Sequence, residues 1–230
     1  LRETDIANYD VRWEVFQKKG QTISLSGFYK TFKRPIEIVQ FATQPGAFQP
    51  RNVGDGQVIG VELELRKNLG FITPKLENFS FNGNFTVTES RIEMSPTEFN
   101  SRVENARVGN SIENTRDMAG QAPYIVNAGF SYDGKTNGLD LGFFYNVQGR
   151  TLQFVGIVDR PDVYTVPFHS LNFSANKTFG EDEKLRAGFK VSNLLGDKKE
   201  SVYQSYGAQD RFFSSISPGT EFSVSVGYTF

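Results

Sequence analysis

Apolar and polar residues alternate one by one along most of this chain, and almost nowhere do apolar positions recur at helical spacing. Period-two alternation is the signature of strands with one apolar face. Nine segments carry it: 9–15, 23–29, 59–66, 79–88, 124–132, 139–148, 170–176, 185–192 and 221–230. In the cleanest, Ile59, Val61, Leu63 and Leu65 share one face, while Gly60, Glu62, Glu64 and Arg66 share the other. Phe28 and Phe144 break the pattern by standing at polar positions. The connections alternate too. After odd segments they are mostly tight turns, namely Lys18-Lys19-Gly20, Asp133 to Gly138, and Glu181-Asp182-Glu183 after Gly180; the one through Leu69 and Pro74 is longer. After even segments come long stretches around 33–57, 90–121, 149–165 and 196–219, far beyond the usual median of about 4–6 residues. Within one of them, Ser95-Pro96-Thr97-Glu98 combines an N-cap, a proline at the first helical position and a glutamate at the third, which predicts a short helix.

Short turns on one side and long loops on the other are the asymmetry of a transmembrane antiparallel β-barrel. A soluble β-sandwich alternates as well, so the two must be separated on further grounds. The segments match the roughly 9–11 residues that cross a bilayer at a tilt. Their apolar faces carry aromatics where a membrane-interface girdle would lie: Tyr9, Trp13, Tyr124 and Tyr132, with Tyr228 and Phe230 at the last strand. Their other face carries Asp10, Arg12, Glu14, Glu62, Glu64 and Arg66. Packing these ions into a sandwich core costs several kcal/mol for each one unpaired, whereas a wet lumen accepts them. The expected fold is therefore all-β, a membrane barrel with the six charges facing its lumen. Single-chain bacterial barrels use even strand numbers, so nine strands read as part of a larger one. The backbone of Ala7 to Phe16 would then pair with a segment outside these residues, because an open edge in hydrocarbon costs several kcal/mol for each unsatisfied group.

Composition removes most enzymatic readings. The 230 residues contain no cysteine and one histidine, His169, which excludes thiolate chemistry and sulfur-bound metals and leaves a triad or metal site one imidazole to build on. Neither catalytic residues nor a metal or cofactor is expected, and His169 reads as an interfacial or loop-packed side chain. Twenty-five basic against 26 acidic residues give net charge −1, so no basic field recruits nucleic acid. Aromatics make up 14 % of the chain, yet no apolar run approaches a membrane helix. Gly54-Asp55-Gly56 precedes a strand rather than a helix and so is no phosphate cradle; the three acids from Glu181 to Glu183 read as a solvated turn rather than a Ca²⁺ site. The chain opens with Leu1 and shows no signal peptide, so it reads as a mature form or a piece of something longer.

Several stretches resemble the C-terminal part of a TonB-dependent outer-membrane receptor. They are Asn8 to Glu14, Phe28-Tyr29-Lys30 through Pro35-Ile36-Glu37, Asn52, Gly60 to Glu64, Gln121 to Tyr124 with Asn127, Tyr145 to Gly149, and Asn193-Leu194-Leu195. Phe230, in phase with Tyr228, Val226, Val224 and Phe222, is similar to the C-terminal signal by which such barrels are recognised for assembly. The resemblance implies a 22-stranded barrel closed by a plug, of which residues 1–230 would be the C-terminal portion, without plug or upstream strands. It further implies residence in the outer membrane of a Gram-negative bacterium. The expected function is TonB-dependent uptake of a scarce, bulky nutrient, whether siderophore, peptide, glycan or vitamin. Implied partners are the rest of the barrel and plug, the TonB energising complex, the barrel-assembly machinery and a surface lipoprotein. Substrate contacts would come from the plug and from the loops, here Phe41 to Phe48, Phe99 to Arg107, Phe154 to Tyr164 and Tyr203 to Phe213. The alternatives are a passive porin or adhesin-like barrel and a soluble β-sandwich binding module.

Overall fold

A computed structural model describes residues 1–17, 20–40, 44, 46–106, 109, 111–157, 160–180, 182–204 and 209–230. In chain order its first strands are β1 (Asp5–Gln17), β2 (Gln21–Lys33), β3 (Ile36–Gln40), β4 (Phe48–Asn52), β5 (Gly56–Asn68) and β6 (Phe79–Glu93). Helix α1 (Pro96–Glu104) follows, then β7 (Thr115–Arg116), β8 (Tyr124–Gly134), β9 (Leu139–Gln148), β10 (Thr151–Phe154) and β11 (Val163–Thr165). The chain continues with β12 (Ser170–Phe179), β13 (Leu185–Ser192), β14 (Lys199–Tyr203), β15 (Arg211–Ile216) and β16 (Glu221–Tyr228). Among the described residues no helix is long and apolar enough to cross a membrane.

The nine alternating segments become one antiparallel path, β1-β2-β5-β6-β8-β9-β12-β13-β16, with each strand beside its sequence neighbour among the nine. Register sets apolar positions opposite apolar ones and polar opposite polar, so the two chemistries sort onto two faces. One transverse apolar row runs Phe130, Phe143, Phe173, Val191, Phe222. On the other face a polar row runs Glu14, Ser24, Glu64, Asn84, Asn127, Asn146, Ser170. The apolar face is open, with Val11, Trp13, Val61, Leu63, Phe85 and Phe143 all exposed. A contiguous exposed apolar face of that extent marks contact with lipid or protein rather than water.

The two aromatic exceptions have a steric explanation. Phe28 lies over Gly60, so close that a Cβ there would collide with its ring; the Phe144 ring lies 2.7 and 3.1 Å from the Cβ positions of Gly142 and Gly129. Glycines on the polar face let a ring lie flat on the sheet, where it covers bare backbone.

The buried core sits in the long connections, not between barrel strands. Sequence reasoning places only a helix there, and α1 does form, with Ser95 Oγ accepting from Glu98 N at 3.2 Å and Pro96 in the first turn. Among the described residues seven further strands accompany it: β3, β4, β7, β10, β11, β14 and β15. β10-β11-β14-β15 form one sheet, and hairpin β3–β4 joins its β10 edge by a parallel bridge from Val39 to Val155, with Gln40 N to Val155 O at 2.9 Å and Val155 N to Ile38 O at 3.1 Å. Val39, Leu152 and Val155 are the buried centre of this cap, and Val58, Ile92 and Met118 seal its junction with the barrel strands. Of the sequence readings, Lys18, Lys19, Phe41, Arg107, Glu181 and parts of the last two loops lie outside the described residues.

Candidate functional site

The polar face is built as a relay. Asn127 Nδ2 donates to Asn84 Oδ1 at 2.5 Å, Asn146 Nδ2 donates to Asn127 Oδ1, and Asn84 Nδ2 reaches Glu62 Oε1 at 3.4 Å. Strand register brings the amides together, because Asn84, Asn127 and Asn146 stand opposite one another on β6, β8 and β9. Toward β1, Arg12 holds Glu14 at 2.6 Å and Glu64 at 2.9 Å. A cleft of about 350 Å³ opens over this row, lined by Glu64, Arg66, the asparagines and the exposed ring of Phe144. Asn146 also borders a second cleft of about 370 Å³, formed with Gln148, Gln153 and Thr165 on one side and Phe168, Lys199, Ser201 and Ser214 on the other. Barrel strand and cap sheet thus share one polar track through Asn146.

The cap is held by charge as much as by apolar packing. Arg116 bridges Glu37 of β3 at 2.7 Å and Glu98 of α1 at 2.6 Å; Arg102 bridges Glu98 at 2.8 Å and Asp162 at 2.7 Å. None of the five side chains is more than 9 % exposed. Glu37 Oε1 also accepts from Ala119 N at 2.7 Å, and Asp162 Oδ1 from Gly156 N at 2.8 Å. Burial opposes the charge on Arg116, but Glu37 and Glu98 outweigh it and raise its pKa. Burial also raises the Asp117 carboxyl; Arg116 partly counters this, while Asp162 and Glu89 add to it. A cluster of rings, Phe48, Phe154, Tyr203 and Phe213, joins three of the loops, with Phe48 and Phe154 centroids 4.5 Å apart and Tyr203 and Phe213 5.3 Å apart.

The other sequence-assigned residues fall as follows. Asp10 and Arg12 share the polar face with Glu62 and Glu64, and Tyr9 stacks on Tyr29 on the opposite face at 6.3 Å. Trp13 is exposed beside Leu25; Tyr124 and Tyr132 stand at the two ends of the β6–β8 ladder, half-buried. Phe222, Val224, Val226 and Tyr228 alternate along β16, and Phe230 lies two residues past its end, edge-on to Tyr228 at 5.3 Å. His169 Nδ1 lies 2.7 Å from Tyr145 Oη, and its backbone N–H donates to Asp197 Oδ2 at 2.7 Å. Hydrogen bonds from the His169 and Lys198 backbones hold the Asp197 carboxyl below its ordinary pKa. No group of His, Cys and acidic residues among the described residues is arranged to hold a metal ion.

Sequence reasoning missed the asparagine row and the buried ion relay. The row had a signal, since asparagine recurs at polar positions of three strands, but its continuity needs the register. Of the relay, only Glu98 was visible, as the third residue of a helix.

Comparison with known proteins identifies the architecture. Residues 3–194 match the family model described as TonB dependent receptor-like, beta-barrel. Comparison with curated protein sequences finds no match. Among solved structures, the ferric-catecholate import receptor Fiu from K12 E. coli matches over 99 % of this chain and 28 % of its own, with TM-score 0.62 and 12 % identity. The FrpB iron transporter from Neisseria meningitidis matches over 99 % and 30 %, with TM-score 0.62 and 14 % identity. The copper transporter OprC matches over 99 % and 32 %, with TM-score 0.62 and 14 % identity. The chain therefore spans about a third or less of the receptors it resembles.

Proposed function

Because the chain belongs to the TonB-dependent receptor-like β-barrel family, whose members are Gram-negative outer-membrane receptors working with a plug and TonB, we propose that it is the C-terminal portion of such a receptor. Its function is the energised uptake of a scarce, bulky nutrient. One observation carries the reading: a polar track passes from the cap onto one face of a sheet whose other face is exposed and apolar. That is the layout of a lipid-facing wall around a wet path, with Asp10, Arg12, Glu14, Glu62, Glu64 and Arg66 on the lumen side. Tyr9, Trp13, Tyr124 and Tyr132 then serve as interfacial anchors. Phe222 to Phe230 serves as the signal read by the assembly machinery. The protein performs binding and admission rather than catalysis, and a surface lipoprotein over the cap would retain ligand there.

Solved relatives are named for a ferric catecholate, iron and copper; those cargoes are theirs, and the reading here extends to uptake alone. The test is accumulation of candidate nutrients by cells carrying the full-length receptor, with and without TonB. TonB-dependent accumulation supports the reading. Accumulation that persists at the same rate without TonB points to a passive porin instead.

A further inference from the structure

We propose that the outward, apolar face of the wall binds acidic glycerophospholipids at two lysines, Lys67 and Lys177; this rests on the lipid-facing wall of the uptake reading and not on its cargo.

The first observation is where charge stands on that face. Lys67 is in phase with Val61, Leu63 and Leu65 on β5 and lies opposite Phe81 of β6. Lys177 is in phase with Phe173 and Ala175 on β12, between Leu139 of β9 and Ala187 of β13. Both strands are paired on each side, so neither lysine borders an open edge, and both belong to the face turned away from the lumen. Each sits where its strand runs into a short connection, at the end opposite the cap. At that end no other strand residue among those described puts a charge on the apolar face. At the cap end the same face carries both signs, with Glu89, Arg91 and Glu93 alternating on β6 and Asp5 opposite Lys33. There Arg91 is tied to Glu89 at 2.6 Å. Among the described residues neither Lys67 nor Lys177 has a carboxylate partner; Lys67 Nζ donates to Gln17 Oε1 and Lys177 Nζ to the Asn137 carbonyl. An ammonium carries three N–H donors. Each lysine therefore keeps donors for a phosphate, and a positive charge that an acidic headgroup offsets and a zwitterionic one does not.

The second observation is an apolar footing beside each ammonium. Lys67 Nζ lies 5.3 Å from the centroid of the Phe71 ring, and Lys177 Nζ 5.7 Å from that of Phe179. The two phenylalanines are 67 % and 44 % exposed. A lysine stem and a ring together meet acyl chain while the ammonium stays at the headgroup. Asn68 fixes the Phe71 turn: its Oδ1 accepts from Gly70 N at 2.9 Å, and its Nδ2 donates to Glu77 O at 2.5 Å and Phe79 O at 3.1 Å. Binding then escapes the cost of ordering a loose turn.

The third is depth. From Ile59 to Lys67 the strand rises about 27 Å, or about 20 Å along the membrane normal at the usual tilt, comparable with the ~25 Å height of a barrel's apolar band. Lys67 thus falls at one headgroup layer. Short connections of such barrels face the periplasm, and the periplasmic leaflet of an outer membrane is built of glycerophospholipids.

The experiment is native mass spectrometry of the full-length receptor in detergent, titrated with dioleoylphosphatidylglycerol or with dioleoylphosphatidylcholine. Two phosphatidylglycerol molecules should bind about fivefold more tightly than phosphatidylcholine. Lys67→Gln and Lys177→Gln should each remove one of them, and the double variant should bind the two lipids alike. Lys33→Gln, at the cap end, should leave both in place, and heat-modifiable migration on gels confirms that all variants fold. Equal binding of the two lipids by the unaltered receptor overturns the proposal, as does a preference that survives in the double variant or falls as much with Lys33→Gln. A loss with one lysine variant alone overturns the site at the other. In each of these cases a receptor that needs detergent and binds both lipids leaves the lipid-facing wall standing. A receptor that stays dispersed without detergent and takes up neither lipid defeats that wall as well.

Discussion

Asn193 gathers several backbone bonds at the start of its loop. It is buried, adopts φ 53°, and its amide donates to Asp197 O at 3.1 Å and Gly219 O at 2.9 Å, while Oδ1 accepts from Asp197 N at 3.2 Å. Asparagine tolerates the left-handed region because its short polar side chain bonds locally. Here it closes the loop between β13 and β16. Asn193→Ala should cost about 1–3 kcal/mol, with added backbone strain, whereas Asn193→Gly keeps the backbone and should lose less; chemical unfolding of the receptor in detergent orders the three. Phe230 makes a contrasting case, since it is fully exposed and touches Tyr228 alone among the described rings. Its deletion should lower the amount of receptor inserted, measured by surface labelling, and leave affinity per inserted molecule unchanged. Asp117 supplies a pH test. Its folded pKa is raised, so the folded cap binds the extra proton more tightly, and stability present at acid pH is lost as pH rises through the raised value. Asp117→Asn should flatten that dependence and make the cap more resistant to proteolysis at neutral pH.

At the level of elements, the barrel strands and the cap obey different rules of legibility. Strands such as β5 and β8, 13 and 11 residues long, alternate over 59–66 and 124–132 on two chemically distinct faces, so a one-residue slip would invert both, and the sequence alone places them. Cap strands are two to six residues long, and bulges at the β10–β11 and β14–β15 pairings interrupt what alternation they have. Their partners are also remote, as when β3 meets β10 across more than a hundred residues. The relay is invisible for the same reason, because Glu37, Arg116 and Asp162 are brought together only by tertiary pairing. Removing one partner of a buried ion pair leaves its neighbour uncompensated, at about 3–5 kcal/mol. Glu98→Gln weakens both Arg102 and Arg116 together. Hydrogen exchange should therefore quicken in concert across 36–52, 96–116 and 151–165, with β5 and β8 unchanged. Faster exchange confined to α1 would show that the relay does not couple the loops.

At the scale of the whole molecule, the sheet has two bare edges. β1 pairs with β2 alone and β16 with β13 alone, and the described residues contain no ladder joining β1 to β16. Nearly every residue of both strands is exposed on both faces. With an apolar outer face in hydrocarbon, each unpaired N–H and C=O on those edges would cost several kcal/mol. The nine strands would therefore make a stable membrane wall only with both edges paired to further strands, in keeping with a match that covers 99 % of this chain but about a third or less of each solved receptor. The expected outcome concerns Ala7 to Phe16. In the full-length receptor the amides of that segment should exchange as slowly as those of β5. A cysteine pair placed across the seam between β1 and the strand preceding it should cross-link, while one between β1 and β16 should not. Efficient cross-linking of β1 to β16 would mean that the nine strands close on themselves, and the wall would then be a small self-contained barrel with a lumen too narrow for the cap's track to feed.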